Sequence, residues 1–144
     1  IVDGEEQNKF SIKNLFQSET DAVIKCLNWE ISDDIDIFIG EHYGYNRFIN
    51  PVIHQREFKF YKKTGKLEII DRFNGIGDHH FIWNFILCPY LKKTVYITSD
   101  SLFFSTQDTF YSQEYGRIEH TKKVISHCNI KLDVNYEFII HLSL

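Results

Sequence analysis

Methionine is absent from the 144 residues, proline occurs twice and cysteine three times. Each scarcity excludes something. With proline only at Pro51 and Pro89, no proline-rich linker divides the chain, and one domain is expected over residues 1–144. Cys26, Cys88 and Cys128 stand far apart and match no metal or redox spacing, so buried free thiols are the expectation. The odd number leaves the redox compartment open. No apolar run approaches the length of a membrane span, and no stretch has the makeup of a signal peptide. Basic residues are outnumbered, 16 Lys and Arg against 20 Asp and Glu, for a net charge of -4. That sign is wrong for a general nucleic-acid binder. The pairs Lys62-Lys63, Lys92-Lys93 and Lys122-Lys123 lie beside turns or strand ends and read as solvated turns and protected sheet edges. Sustained helical periodicity is also missing, and nothing repeats at a fixed interval. The chain starts with Ile rather than Met, and with no Met anywhere it reads as a piece cut from a longer protein.

What is abundant points one way. Aromatic residues make up 16% of the chain, with 13 Phe and 8 Tyr, and 43% of residues are hydrophobic. Aromatic and β-branched side chains suit pleated, half-buried surfaces. Period-two alternation recurs: Phe10 and Ile12; Ala22 to Ile31; Ile35, Ile37 and Ile39 up to Gly40; Val52 to Tyr61; Lys66 to Phe73. The last two read as a hairpin over Lys62-Lys63-Thr64-Gly65, with Gly65 at the positive-φ position. Val2-Asp3-Gly4 reads as a strand end entering a turn. Phe81 to Leu87 is apolar on most of both faces and is expected to be a central strand. Thr94 to Thr98 and Leu102 to Ser105 read as a hairpin over Ser99-Asp100-Ser101, and Phe110 to Ser112, Val124 to Leu132 and Tyr136 to Leu142 supply the last strands. About a dozen short strands at this spacing predict an all-β, antiparallel two-layer β-sandwich, because so large a sheet needs a second layer over its aromatic face.

Candidate chemistry rests on His42, His54, His79, His80 and Asp71. General acid–base work needs a titratable group beside its substrate, and sugar lyases use Tyr or His to remove the proton alpha to a uronic carboxylate. Tyr43, Tyr45 and Arg47 beside His42 suit a fragment of such a site; packing and rim roles are the alternative. Adjacent strand residues point to opposite faces, so His79 and His80 do not share one ion in a regular strand, and a strand-start histidine bonded to backbone is favoured for His79. Asp71, ahead of Asn74-Gly75, reads as a turn-capping acceptor.

Taken in order, Val2-Asp3-Gly4 with Gln7, Gly44-Tyr45-x-Arg47-Phe48, His54-x-Arg56, Ile70-Asp71, Gly75-x-Gly77-x-His79, the strand from Phe85 to Pro89, and Ser112-Gln113-Glu114-Tyr115-Gly116 resemble the C-terminal β-sandwich of heparinase II/III-like proteins. Gln55, Ile86 and Gln113 depart from that pattern and suggest a divergent branch. The resemblance implies a supersandwich-like fold in a longer polysaccharide lyase-like protein with an upstream α/α toroid. It implies action on uronate-containing acidic polysaccharide by β-elimination, with the acid–base residues, and any divalent metal, held upstream of Ile1. No catalytic residue, metal ligand or cofactor is then expected in these 144 residues. Partners implied are the acidic polysaccharide and the chain's own α-helical domain, with no nucleic acid; a periplasmic or envelope setting is suggested by family alone. Tyr43, Tyr45, Arg47, His54 and Arg56 are the candidate carbohydrate-binding rim, since aromatic rings stack on sugar faces and Arg pairs with carboxylates. The alternative is a non-catalytic carbohydrate-binding or purely structural β-sandwich module.

Overall fold

Alternating residues become long antiparallel strands. A computed structural model describes residues 1–11, 13–18, 22–92 and 94–143; Ile12 and Lys93 lie outside the described residues. The strands are β1 (Phe10–Ser11), β2 (Asn14–Ser18), β3 (Ile24–Ile31), β4 (Ile35–Tyr45), β5 (Val52–Tyr61), β6 (Lys66–Gly75), β7 (Gly77–Ile86), β8 (Tyr96–Thr98), β9 (Ser105–Tyr111), β10 (Glu119–Leu132) and β11 (Tyr136–Ser143). A six-stranded sheet runs β3-β4-β5-β6-β11-β8, and a three-stranded sheet runs β7-β10-β9. The two pack face to face as an all-β sandwich. Among the described residues nine strands form the sandwich, rather than about a dozen, and β1 and β2 make a separate ribbon.

The chain changes sheet between β6 and β7 with only Ile76 in between. Gly77 makes that corner at φ 92°, a backbone region that side chains with a Cβ rarely enter. Farther back, the β5–β6 hairpin closes as expected, with Gly65 at φ 67°. At the N-terminus Val2 and Glu5 exchange backbone bonds of 3.2 and 2.9 Å around Asp3-Gly4, so the predicted turn is present.

Core residues come from both layers: Val52, Ile69, Phe73, Phe138 and Ile140 from the large sheet; Phe81, Trp83 and Leu132 from the small one. Phe73 sits at the centre, 4.3 Å from Phe81 and 6.2 Å from Phe138 between ring centroids. The large sheet is the wider. Its β3–β4 end overhangs the small sheet, leaving Ile24, Trp29 and Ile31 at 75%, 67% and 68% exposure.

Three expectations are corrected. The strand from Phe81 to Leu87 is not central: among the described residues β7 borders its sheet, pairing with β10 on one side and meeting just the short segment Ile1 to Asp3 on the other. One face packs inward through Phe81 and Trp83, while Ile86 on the other is 56% exposed. The hairpin over Ser99-Asp100-Ser101 does not form. Instead β8 pairs with β11 and β9 with β10, in different sheets, because buried Leu102 draws the connection through the core. Finally, the three thiols are free, but Cys26 and Cys88 are exposed and Cys128 is half-buried.

Candidate functional site

Antiparallel register places four side chains in a row on the inner face of the large sheet. His42 of β4 lies opposite His54 of β5, and Arg56 of β5 opposite Asp71 of β6. Asp71 is fully buried. Its Oδ1 accepts from His54 Nε2 at 2.7 Å and Arg56 Nε at 2.6 Å. Its Oδ2 accepts from Arg56 Nη2 at 2.7 Å and from Trp83 Nε1, across the sandwich, at 2.8 Å. Burial by itself pushes the carboxyl pKa up, but the bonds from His54 and Arg56 outweigh it and hold the group well below the usual carboxylate range. Asp71 is therefore a mid-strand acceptor under the core, and the turn-capping expectation is overturned.

The remaining bonds fix the imidazoles. Gly44 N–H points at His42 Nδ1 from 3.4 Å, so Nδ1 is the accepting nitrogen and Nε2 carries the proton. His42 Nε2 lies 3.0 Å from His54 Nδ1, which must then accept, leaving His54 Nε2–H for Asp71. Protons thus run one way, from Gly44 to His42 to His54 to Asp71. Burial first, and then the neighbouring His54, lower the His42 pKa from 6.5 to about 4. Each ring nitrogen of the pair has a hydrogen-bond partner, and among the described residues no three His, Cys, Asp or Glu side chains converge.

Beside this row the overhang forms an open cleft of about 380 Å³. Ile24, Cys26, Phe38, His42, His54 and Arg56 line it. Lys25 and Glu41 also border it, and Arg56 lines it as well as two neighbouring cavities. A rotated guanidinium is prevented by the two-pronged bond to Asp71, so Nη1 stays aimed away from the carboxylate.

The five candidate rim residues are only partly brought together. His54 and Arg56 line the cleft. Tyr45 is 3% exposed and packs on Phe48 and His42, with its phenol pushed up to about 12 chiefly by burial. The Tyr43 hydroxyl is held by Lys25 and Glu41 and does not line the cleft. Arg47 donates to the carbonyls of Gly44, Gln7 and Glu6, and so straps the N-terminal segment to the end of β4. Gly44 permits that strap: a Cβ there would meet the Gln7 carbonyl oxygen at 2.2 Å. His79, 4% exposed, bonds Asp3 Oδ2 at 2.7 Å and the Ile76 carbonyl at 2.9 Å, as expected of a strand-start histidine. The role of Trp83 as a donor to Asp71 was missed. Phe38 could have been found, because Phe38, Gly40 and His42 alternate along one strand.

Sequence comparison decides the family. A profile described as "Heparinase II/III-like, C-terminal" matches residues 1–132. The chain belongs to that family. Heparinase II/III-like C-terminal domains and their solved relatives also account for the architecture. A heparan sulfate lyase HepC from Pedobacter heparinus superposes with a TM-score of 0.65 at 16% identity, over 83% of this chain and 21% of that one. A structure named as heparinase III superposes with a TM-score of 0.60 at 14% identity, with the same coverage of 83% and 21%. At such identities the likeness establishes the fold alone, and the chain spans about a fifth of each solved relative's length. No curated protein sequence matches the chain.

Proposed function

We propose that this chain is the non-catalytic sandwich of a lyase-like protein that acts on uronate-containing acidic polysaccharide by β-elimination, and that the cleft over β3, β4 and β5 meets the glycan. The observation that carries the reading is Arg56, which lines an apolar-walled cleft and is held in a fixed plane by buried Asp71, with its Nη1 edge outside that two-pronged bond. Such an edge gives a carboxylate or sulfate oxygen a charge-assisted bond, and Phe38 supplies a ring for a sugar face.

The same geometry supports a non-catalytic part. β-Elimination needs a base for the proton alpha to the uronic carboxylate and an acid for the leaving oxygen. His42 and His54 have their nitrogens engaged with each other, Gly44 and Asp71, and the Tyr45 phenol is buried. Proton transfer is therefore assigned to the catalytic remainder of the longer protein, against which this sandwich packs. Incubation with heparin, heparan sulfate, alginate and pectate, followed by absorbance of the unsaturated product, tests this. No product is expected from the chain alone; product formation that survives repurification and disappears in a His42→Phe variant contradicts the assignment.

A further inference from the structure

We propose that β3 is a self-complementary edge through which two copies of this chain pair antiparallel, joining their large sheets about a two-fold axis. β3 borders the six-stranded sheet, so among the described residues its outer edge has no strand partner. It contains no proline, is eight residues long and keeps Ile24, Leu27, Trp29 and Ile31 exposed, and the two features that can shield an edge, its charges and its irregularity between Cys26 and Asn28, are both matched when a second copy pairs with it.

The face pattern of the strand identifies the occupant. Register with β4 places Ile24 and Cys26 opposite His42 and Gly40, and Trp29 and Ile31 opposite Phe38 and Asp36. All four therefore lie on the inner face. Lys25 and Glu30, opposite Glu41 and Ile37, lie on the outer face. The switch in parity comes from the irregularity between Cys26 and Asn28, where Leu27 is the extra residue.

With that bulge, the strand reads the same from either end. In an antiparallel pair of copies centred on Leu27-Asn28, Ile24 meets Ile31 of the second copy, Lys25 meets its Glu30, and Cys26 meets its Trp29. Directly opposed residues in an antiparallel ladder must share a face, and every one of these pairs does. Ile24, Trp29 and Ile31 meet apolar or thiol partners, Leu27 meets Asn28, and each charge meets its opposite, twice over because a two-fold contact repeats. Without the bulge the same pairing would set inner-face residues against outer-face ones. The contact also completes the cleft. Ile24 and Cys26 line it, so Trp29 and Ile31 of the second copy extend its open rim and add an aromatic ring beside Phe38.

Sedimentation of the full chain between about 1 and about 200 μM tests the proposal. A concentration-dependent dimer is expected. Glu30→Lys, which sets Lys against Lys25, should weaken it about tenfold or more at low salt, and Lys25→Glu/Glu30→Lys should restore most of that loss. Independently, Trp29→Cys should form a reducible covalent dimer with Cys26, and Trp29→Cys/Cys26→Ser should not. Circular dichroism checks that each variant keeps its strands. A chain that stays monomeric throughout, a dimer indifferent to Glu30→Lys, or a crosslink that persists without Cys26 overturns the inference.

Discussion

Replacing Asp71 by Asn changes one atom and should unbalance the centre of the sandwich. The carboxylate accepts four bonds, two on each oxygen, all from donors: His54, Arg56 twice, and Trp83. An asparagine in either orientation turns an NH2 group toward two of those donors, so two bonds become N–H facing N–H. The Arg56 guanidinium also keeps its charge with no counter-ion at 2.7 Å. Charge-assisted bonds are worth roughly 1.5–3 kcal/mol each, and breaking one side of a buried pair costs roughly 3–5 kcal/mol. These describe the same loss and are not summed; a destabilisation of about 3–5 kcal/mol is expected. For a domain of this size each kcal/mol moves the melting point by roughly 2–4 °C, so the midpoint should fall by about 6–20 °C. Urea and thermal unfolding followed by tryptophan emission read this directly, since Trp83 is itself a donor to the site. Glu57→Gln is the comparison. Glu57 is also poorly exposed, at 7%, but it meets Arg72 and Lys59 on the outer face, where solvent reaches the pair. It should cost only about 1 kcal/mol. An Asp71→Asn loss of less than about 1 kcal/mol, or one no larger than that of Glu57→Gln, would mean that Asp71 is not the counter-ion on which the buried donors depend.

Acidification provides a second test. The folded protein holds His42 near 4 whereas the unfolded chain releases its proton near 6.5, so the unfolded state binds more protons in between. Stability should be greatest above about pH 6.5, decline as pH falls toward 4, and show no further His42 contribution below that. The full shift corresponds to roughly 3 kcal/mol; with the ring only partly buried, about 1–2 kcal/mol is expected, and His42→Phe should flatten the curve between pH 6.5 and 4 in a denaturant series. Asp71 contributes in a lower window, below its unfolded value of 3.8, so the two losses separate on the pH axis. Gly44→Ala should destabilise by roughly 1–3 kcal/mol, because the new methyl meets the backbone of Gln7 rather than a movable side chain. Hydrogen exchange at Glu5, Glu6 and Gln7 should rise with it, and unchanged protection there would refute the strap.

Much of the fold was legible because the strands alternate. Ile35, Ile37 and Ile39 announced β4, and the turn at Lys62 to Gly65 announced the β5–β6 pair. Where composition was apolar on both sides, alternation lost its meaning. Phe81 to Leu87 looked central for that reason, although one of its faces is solvent-exposed at Ile86. The break at Leu102 was illegible because crossing between layers depends on which core gap a buried leucine fills, a property of the finished packing. For the candidate cleft, His54 and Arg56 were legible as candidates by type and spacing, two apart on one strand face. Asp71 was found but given the wrong task. Its ordinary partner in sequence is the Asn74-Gly75 turn, and its actual partners lie on β5 and on the facing sheet, which only register and sheet packing reveal. Arg47 illustrates the reverse: an arginine among tyrosines reads as a binding residue, while its guanidinium is occupied by three backbone carbonyls.

Contact between the cleft beside Arg56 and an acidic glycan is read out by titrating the chain with a size-defined heparan or uronate oligosaccharide while following amide chemical shifts. Saturable shifts confined to β3, β4 and β5 around Phe38, His54 and Arg56 are expected. Binding should weaken at least about fivefold in Arg56→Lys, which keeps the charge but loses the planar edge, and stay unchanged in Arg47→Lys. Shifts centred on Arg47 and Phe48, or none at all at millimolar oligosaccharide, would contradict that contact.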